Sequence, residues 1–389
     1  MGKAKTSADR PQAGPLHEPQ ATQVERRGSM AFAERAGSDG ARIGIARLDR
    51  AAQLNALNLE MCETMLAQFR RWASDESIRA VFLAGEGEKG FSAGGDVAEV
   101  SRQNRSGRPD RYAYGDAFFA VEYTLNLLMH TYPKPLVTWA HGVTMGGGLG
   151  LSVAGSHRFV TTKSRIAMPE IHIALFPDVG GGWFLNRVPG EAGLLLALTG
   201  IVVNEQDAVF ARLADHVVRH ERQDAFLDGL AALEWGRSAR DDRARVSRFC
   251  REFEAAEPLA PDEIAPGTLR DRHDRIRSIF TRATMAGILR GLQEAAMSDP
   301  WFERAYRNLA DGSPTGAAVS LEYLRRCRHL GLREVLDLDL VVAKQCQRHH
   351  DFPEGVRALL IDKDRKPRWQ PANAGDVDQA LVDGFFVAP

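Results

Sequence analysis

No stretch of this chain approaches the roughly 20 consecutive apolar residues that a bilayer-crossing helix needs, and the N-terminus has no hydrophobic signal core. Neither a membrane protein nor a secreted one is expected. Net charge is also missing: 50 Lys and Arg stand against 51 Asp and Glu, so nothing global favours nucleic acid or an anionic surface. Cysteine is scarce. Cys62, Cys250, Cys327 and Cys346 lie far apart with no C-x-x-C, which argues against a zinc site and a disulfide framework. They read as buried or half-buried thiols in a reducing compartment, and the expected location is cytoplasmic. The histidines lack metal-ligand spacing beyond the adjacent pair His349 and His350, read as a solvated loop, so no metal is expected. At 389 residues the chain is long enough for two or three domains.

What is present begins with a tail. Residues 1–28 are rich in Pro, Gln, Ala, Thr and charge and have almost no large apolar side chain, which predicts a mobile segment. Asp9, Glu18 and Glu25 make it a poor organelle transit peptide. From Arg42 the alternation RIGIARLD predicts a strand, followed by a polar break at Asn55 to Asn58 and a helix from Leu59 to Ala73. Ala80 to Ala84 reads as a second strand, running into the glycine loop Phe91-Ser92-Ala93-Gly94-Gly95-Asp96 and then a helix. Arg111 to His130 is a long aromatic and aliphatic stretch in which Glu122 is the lone acid, and such an acid is more often at the surface or paired with a base.

The same strand, glycine loop and helix recur from Leu136 to Val153, around Gly146, Gly147 and Gly148. Glycines admit close backbone approach, and amides at a helix N-terminus attract negative charge. Glu170 and Asp178 follow, each in an apolar segment. Amide donors beside isolated carboxylates suggest chemistry at a carbonyl, with Gly95 and Gly147 as a two-donor oxyanion hole if their N–H groups converge. No G-x-x-x-x-G-K-S/T supports a phosphate cradle, since Lys134 precedes the glycines, and GGGLG lacks the offset of a dinucleotide fingerprint. His141 and His157 border the loop, but Ser92 and Ser152 lie in no G-x-S-x-G elbow, which disfavours a serine hydrolase. Beyond Asp215 helices dominate, broken by the proline-bearing segment 257–268, the best internal hinge.

FSAGGD, HGVTMGGGLGLSVAGSHRF and AMPEIHIALFPDVGGGWFL together resemble the enoyl-CoA hydratase/isomerase superfamily, the crotonase family, and within it the 3-hydroxyisobutyryl-CoA hydrolase branch. The similarity runs from Arg42 to Trp369 and includes LALTG, SPTG and HDFPEGVRALLIDKDRKPRW. It implies an α/β fold, a spiral of ββα repeats with a C-terminal helical region over the active site. On that basis residues 29–257 form the core with its following helices, and residues 258–389 the C-terminal helical region and tail. It also implies an acyl-CoA substrate, no separate cofactor, and a homo-oligomer, a trimer or a pair of trimers.

By matching motif positions, Gly95 and Gly147 should supply the oxyanion amides, and Glu170 should be the principal catalytic carboxylate. Asp178 and Glu122 should lie on the acyl group or its water, and Asn55, Ala56, Leu57, Ser92 and Ala93 along the coenzyme A. Trp139, Phe176, Trp183 and Phe184 are candidate pocket walls, with core packing as the alternative. One departure separates the branches: hydratases carry a second glutamate where this chain has Gly150, and without it paired-carboxylate hydration is hard to support. Expected, therefore, is thioester hydrolysis in valine catabolism. Enoyl-CoA hydration or isomerisation, and non-catalytic acyl-CoA binding, are the alternatives.

Overall fold

The computed structural model describes residues 24–282 and 284–389. Its strands are β1 (Glu25–Arg27), β2 (Met30–Ala36), β3 (Arg42–Leu48), β4 (Ile78–Gly85), β5 (Gly90–Ser92), β6 (Leu136–Ala140), β7 (Val143–Met145), β8 (His157–Thr161), β9 (Arg165–Ala167) and β10 (His216–Val218). They form two sheets. One has the order β1-β2-β3-β4-β6-β8-β10, and the other is the short set β5-β7-β9. From β4 onward the chain lays a strand in the large sheet, one in the small sheet, and then a helix. This is the expected spiral of ββα turns, with both sheets parallel across those turns.

Period-two patterning sends alternate residues of the large sheet to opposite faces. Phe82, Val137, Trp139 and Phe159 pack on one side with Phe226, Val246 and Phe253 from the helices Gln223–Ala231 and Ala239–Ala256. Val81, Leu83 and Leu136 face the larger core, which also takes Met61, Met65 and Phe69 from the helix Leu59–Ser74. Asn58 starts that helix by accepting a hydrogen bond from the Met61 amide at 2.9 Å. The same core continues into the C-terminal helices Pro314–Cys327 and Leu332–Cys346. Their apolar faces are covered by the spiral itself.

Three sequence expectations change here. Residues 1–23 of the expected tail lie outside the described residues, but Glu25–Arg27 pairs antiparallel with β2 and extends the sheet edge. Segment 257–268 is fastened rather than hinge-like: Asp207 accepts the Thr268 and Leu269 amides at 2.7 Å each, and Glu205 accepts that of Ala265. A short strand, β10, also interrupts the helical run after Asp215, pairing parallel to β8.

Candidate active site

The small sheet sets the site. Parallel neighbours lie about 4.8 Å apart, so the residues just past the ends of β5, β7 and β9 emerge side by side. Those residues are Gly95, Gly147 and Glu170. Gly95 also bridges to Leu57, which donates to Gly94 O at 2.8 Å while Asp96 N donates back to Leu57 O at 2.7 Å. Gly146 turns the second loop with φ +52°, a conformation that glycine adopts without strain. A Cβ added to Gly147 would lie 3.4 Å from Gly95 N and would collide with Glu122 Oε1. One added to Gly146, the preceding residue, would lie 2.8 Å from Glu170 Oε1. The two glycine loops therefore meet, with one glutamate against each of two adjacent residues.

Three carboxylates share this spot, and no cationic side chain lines it among the described residues. Glu122, Glu170 and Asp178 are 2 %, 5 % and 4 % exposed, and all three line a cavity of about 120 Å³ together with Gly95 and Gly147. Neither Glu122 Oε1 nor Glu170 Oε2 has a hydrogen-bond partner among the described residues. Burial pushes both glutamates well above the usual carboxylate range, and the charge of Asp178 pushes them further. Asp178 is raised to about 7 by burial, against the opposing hydrogen bond it accepts from Tyr123 OH at 2.7 Å. Unpaired buried acids are costly and are characteristic of functional sites. Glu122, whose helical setting alone suggested a surface or base-paired acid while the motif match put it at the acyl group, is buried at the cavity.

The sequence profile of the enoyl-CoA hydratase/isomerase family matches residues 43–386. This chain belongs to that family. It is 36% identical over 345 residues, 89% of this chain and 86% of the relative, to 3-hydroxyisobutyryl-CoA hydrolase, mitochondrial, of Xenopus laevis. The human protein of the same name is 35% identical over 343 residues, 88% of this chain and 86% of its own. Among solved structures, a carnitinyl-CoA dehydratase from Mycobacterium thermoresistibile superposes with a TM-score of 0.78 at 32% identity, covering 95% of this chain and 97% of that one. An enoyl-CoA hydratase from Rhodobacter sphaeroides 2.4.1 gives 0.76 at 34%, covering 92% and 97%.

These relatives correct one expectation for this crotonase-family chain. The cytoplasmic assignment is overturned by curated relatives named as mitochondrial. All four cysteines are free and buried, as expected, but thiols shielded from solvent do not choose between compartments.

Of the five residues expected along the coenzyme A, only Ala56 and Ala93 reach the surface. The Asn55 side chain accepts from Arg50 N at 2.9 Å and donates to Glu86 O and Gly90 O. Ser92 Oγ donates to Asn55 O at 2.9 Å. Asn55, Ser92 and Leu57 are all fully buried. Nor are the four expected aromatic walls at the cavity: Trp139 is in the other core, Phe176 packs on Tyr323 at 4.7 Å, Trp183 lies under Arg187, and Phe184 is in the main core. Phe118 and Phe119 line it instead, with Leu359 and Leu360 from the C-terminal region.

Sequence reading also missed a latch behind Asp178. Asp339, fully buried on the helix Leu332–Cys346, accepts a hydrogen bond from Gly180 N at 2.8 Å and another from Tyr323 OH. Tyr323 OH in turn accepts from Gly182 N at 2.9 Å. An acid flanked at helical spacing by Val335, Leu336, Val342 and Ala343 was the available signal. His141 and His157, the alternative bases, are committed elsewhere, His141 to Gly87 O at 2.7 Å and His157 to Ser247 Oγ at 2.8 Å.

Proposed function

We propose that this protein is an acyl-CoA thioester hydrolase, with 3-hydroxyisobutyryl-CoA as the preferred substrate and 3-hydroxyisobutyrate and free coenzyme A as products. The observation that carries the reading is the meeting of the Gly95 and Gly147 loops beside unpaired, buried Glu170. The thioester carbonyl oxygen takes the Gly95 and Gly147 amides, each donor contributing about 3 kcal/mol as charge develops there. Glu170 either removes a proton from the attacking water or attacks the carbonyl itself to form a transient anhydride. Asp178, oriented by Tyr123, holds water or the substrate hydroxyl, and Glu122 hydrogen-bonds at the acyl end. Ala56 and Ala93 flank the pantetheine arm.

A hydratase reading is favoured only by the names of the two solved neighbours. Against it, position 150 has no room for the partner acid: a Cβ there would lie 2.6 Å from Val179 Cβ. A thiol-trapping assay with 3-hydroxyisobutyryl-CoA and crotonyl-CoA separates the two. Thiol release from the first is expected, with Glu170→Gln abolishing release while binding survives; full activity in that variant removes Glu170 from the role. Single turnover in oxygen-18 water distinguishes the routes, because label entering Glu170 excludes the simple base.

A further inference from the structure

A second cleft, of about 560 Å³, opens where the helices His273–Phe280 and Pro314–Cys327 meet the turn Pro189–Glu191. Its size falls within the roughly 300–1,000 Å³ that small-molecule sites occupy. Among the described residues, none lines both this cleft and the Glu170 cavity. Four guanidiniums line it against one acid, Glu191. Arg277 lies in the last turn of the first helix and Arg325 in that of the second, with Arg282 and Arg328 just beyond the two ends. Arg282 is engaged, donating to Gly287 O at 3.2 Å and to Glu294 at 3.1 Å. Arg277 and Arg328 are exposed, and neither side chain makes a hydrogen bond or an ion pair among the described residues.

A helix dipole favours a cation in the last turn, which accounts for each of these arginines singly. It does not account for their gathering in one concavity, where like charges repel and their field is focused on whatever enters. Beneath them the floor is apolar, formed by buried Leu185, Val188, Phe280 and Leu324. Asn186 fixes that floor, its amide donating to Gly182 O at 2.7 Å and to Leu324 O at 2.9 Å. The rim is left-handed backbone, Gly190 and Glu191 both at φ +65°. At Gly190 a Cβ would collide with the His273 ring, and at Glu191 the conformation is of the uncommon kind that collects at ligand clamps.

We propose that this cleft binds a nucleoside di- or triphosphate, with the phosphates on Arg277, Arg325 and Arg328 and the base on the apolar floor. Planar guanidiniums take phosphate oxygens in pairs. A bare phosphate would use the rim alone and leave the floor and most of the volume without contact, whereas a polyanion carrying a flat, largely apolar body uses both. No residue of the catalytic cavity takes part, so this site and the acyl-CoA reading stand or fall separately.

The test is calorimetric titration of ADP, ATP and inorganic pyrophosphate into the wild type and an Arg277→Ala/Arg328→Ala variant. Both side chains are exposed and unpaired, so the variant should keep the wild-type circular dichroism and melting temperature. Affinity for ATP should fall about tenfold or more in the variant, and in the wild type it should weaken as salt is raised. Arg277→Lys/Arg328→Lys, which keeps the charge and loses the planar fork, should lie between the two. Pyrophosphate should bind the wild type about tenfold or more weakly than ATP, having nothing to lay on the floor. An excess of free coenzyme A should leave ATP binding unchanged. No binding of ADP or ATP by the wild type, or equal ATP affinity in the wild type and the alanine variant, overturns the proposal. Displacement of ATP by coenzyme A would put the nucleotide in the substrate's place and overturn it too, and pyrophosphate binding as tightly as ATP would overturn the nucleotide assignment.

Discussion

Val179 fills the space that a side chain on residue 150 would need. A Cβ added to Gly150 would meet Val179 Cβ and Cγ2 at 2.6 Å each and Asn126 Oδ1 at 3.3 Å. Val179 holds this position with φ +51°, a conformation that costs a β-branched residue about 1–3 kcal/mol. Its backbone directly follows Asp178. The valine thus closes the place of a second glutamate in the same stretch of chain that brings in the aspartate.

Gly150→Glu should therefore overpack the site rather than convert it. We expect a loss of about 1–3 kcal/mol or more in stability, read by calorimetry, and no hydration of crotonyl-CoA. Val179→Gly in the same chain should recover part of the lost stability, because it removes both the collision and the left-handed strain.

Gly147→Ala tests whether the two loops work as a pair. The added methyl collides with Glu122 Oε1 and comes within 3.4 Å of Gly95 N. We expect kcat to drop about 100-fold or more, with far-UV circular dichroism unchanged. Wild-type kcat in this variant would remove Gly147 from the oxyanion role.

The Asp339 latch predicts an effect at a distance from the cavity. Tyr323→Phe removes the hydroxyl that donates to Asp339 and accepts from Gly182 N, so a buried amide loses its acceptor. A cost of about 1–3 kcal/mol is expected in chemical denaturation. If the latch positions Asp178, the pH profile of kcat should shift as well, which a purely structural loss would not cause.

Stability should fall as the pH is raised through the range in which Asp178 titrates. Asp178 is held near 7 in the fold against an ordinary value of 3.8, so the native state keeps its proton where the unfolded chain has lost it. Stability then falls as pH rises from about 4 through about 7, and stays low above. Asp178→Asn, which retains an acceptor for Tyr123, should be more stable than wild type at pH 8 by on the order of 2–4 kcal/mol, with the gap closing by pH 4.

Local pattern carried a long way in this chain. Alternation at Arg42–Leu48, helical spacing from Leu59, and two strand-to-glycine-loop turns were readable because backbone period and glycine chemistry act over a few residues. Gly95 and Gly147 stood out in glycine loops and Glu170 and Asp178 as acids in apolar segments, and the family resemblance gave them their expected roles. Tertiary structure decided what those residues face. Glu122 looked ordinary from its own helix, and only its match to a family motif singled it out before Gly147, 25 positions later in sequence, was folded against its carboxylate. Asp339 looked like any helix acid until the Gly180 loop was brought to it from 159 residues away. The walls came from Phe118 and Leu360 rather than from the tryptophans near the motif. Burial and the company of other charges raise proton affinity, and both depend on the whole fold, so the chain's letters named the acids but only their packing made them unpaired neighbours.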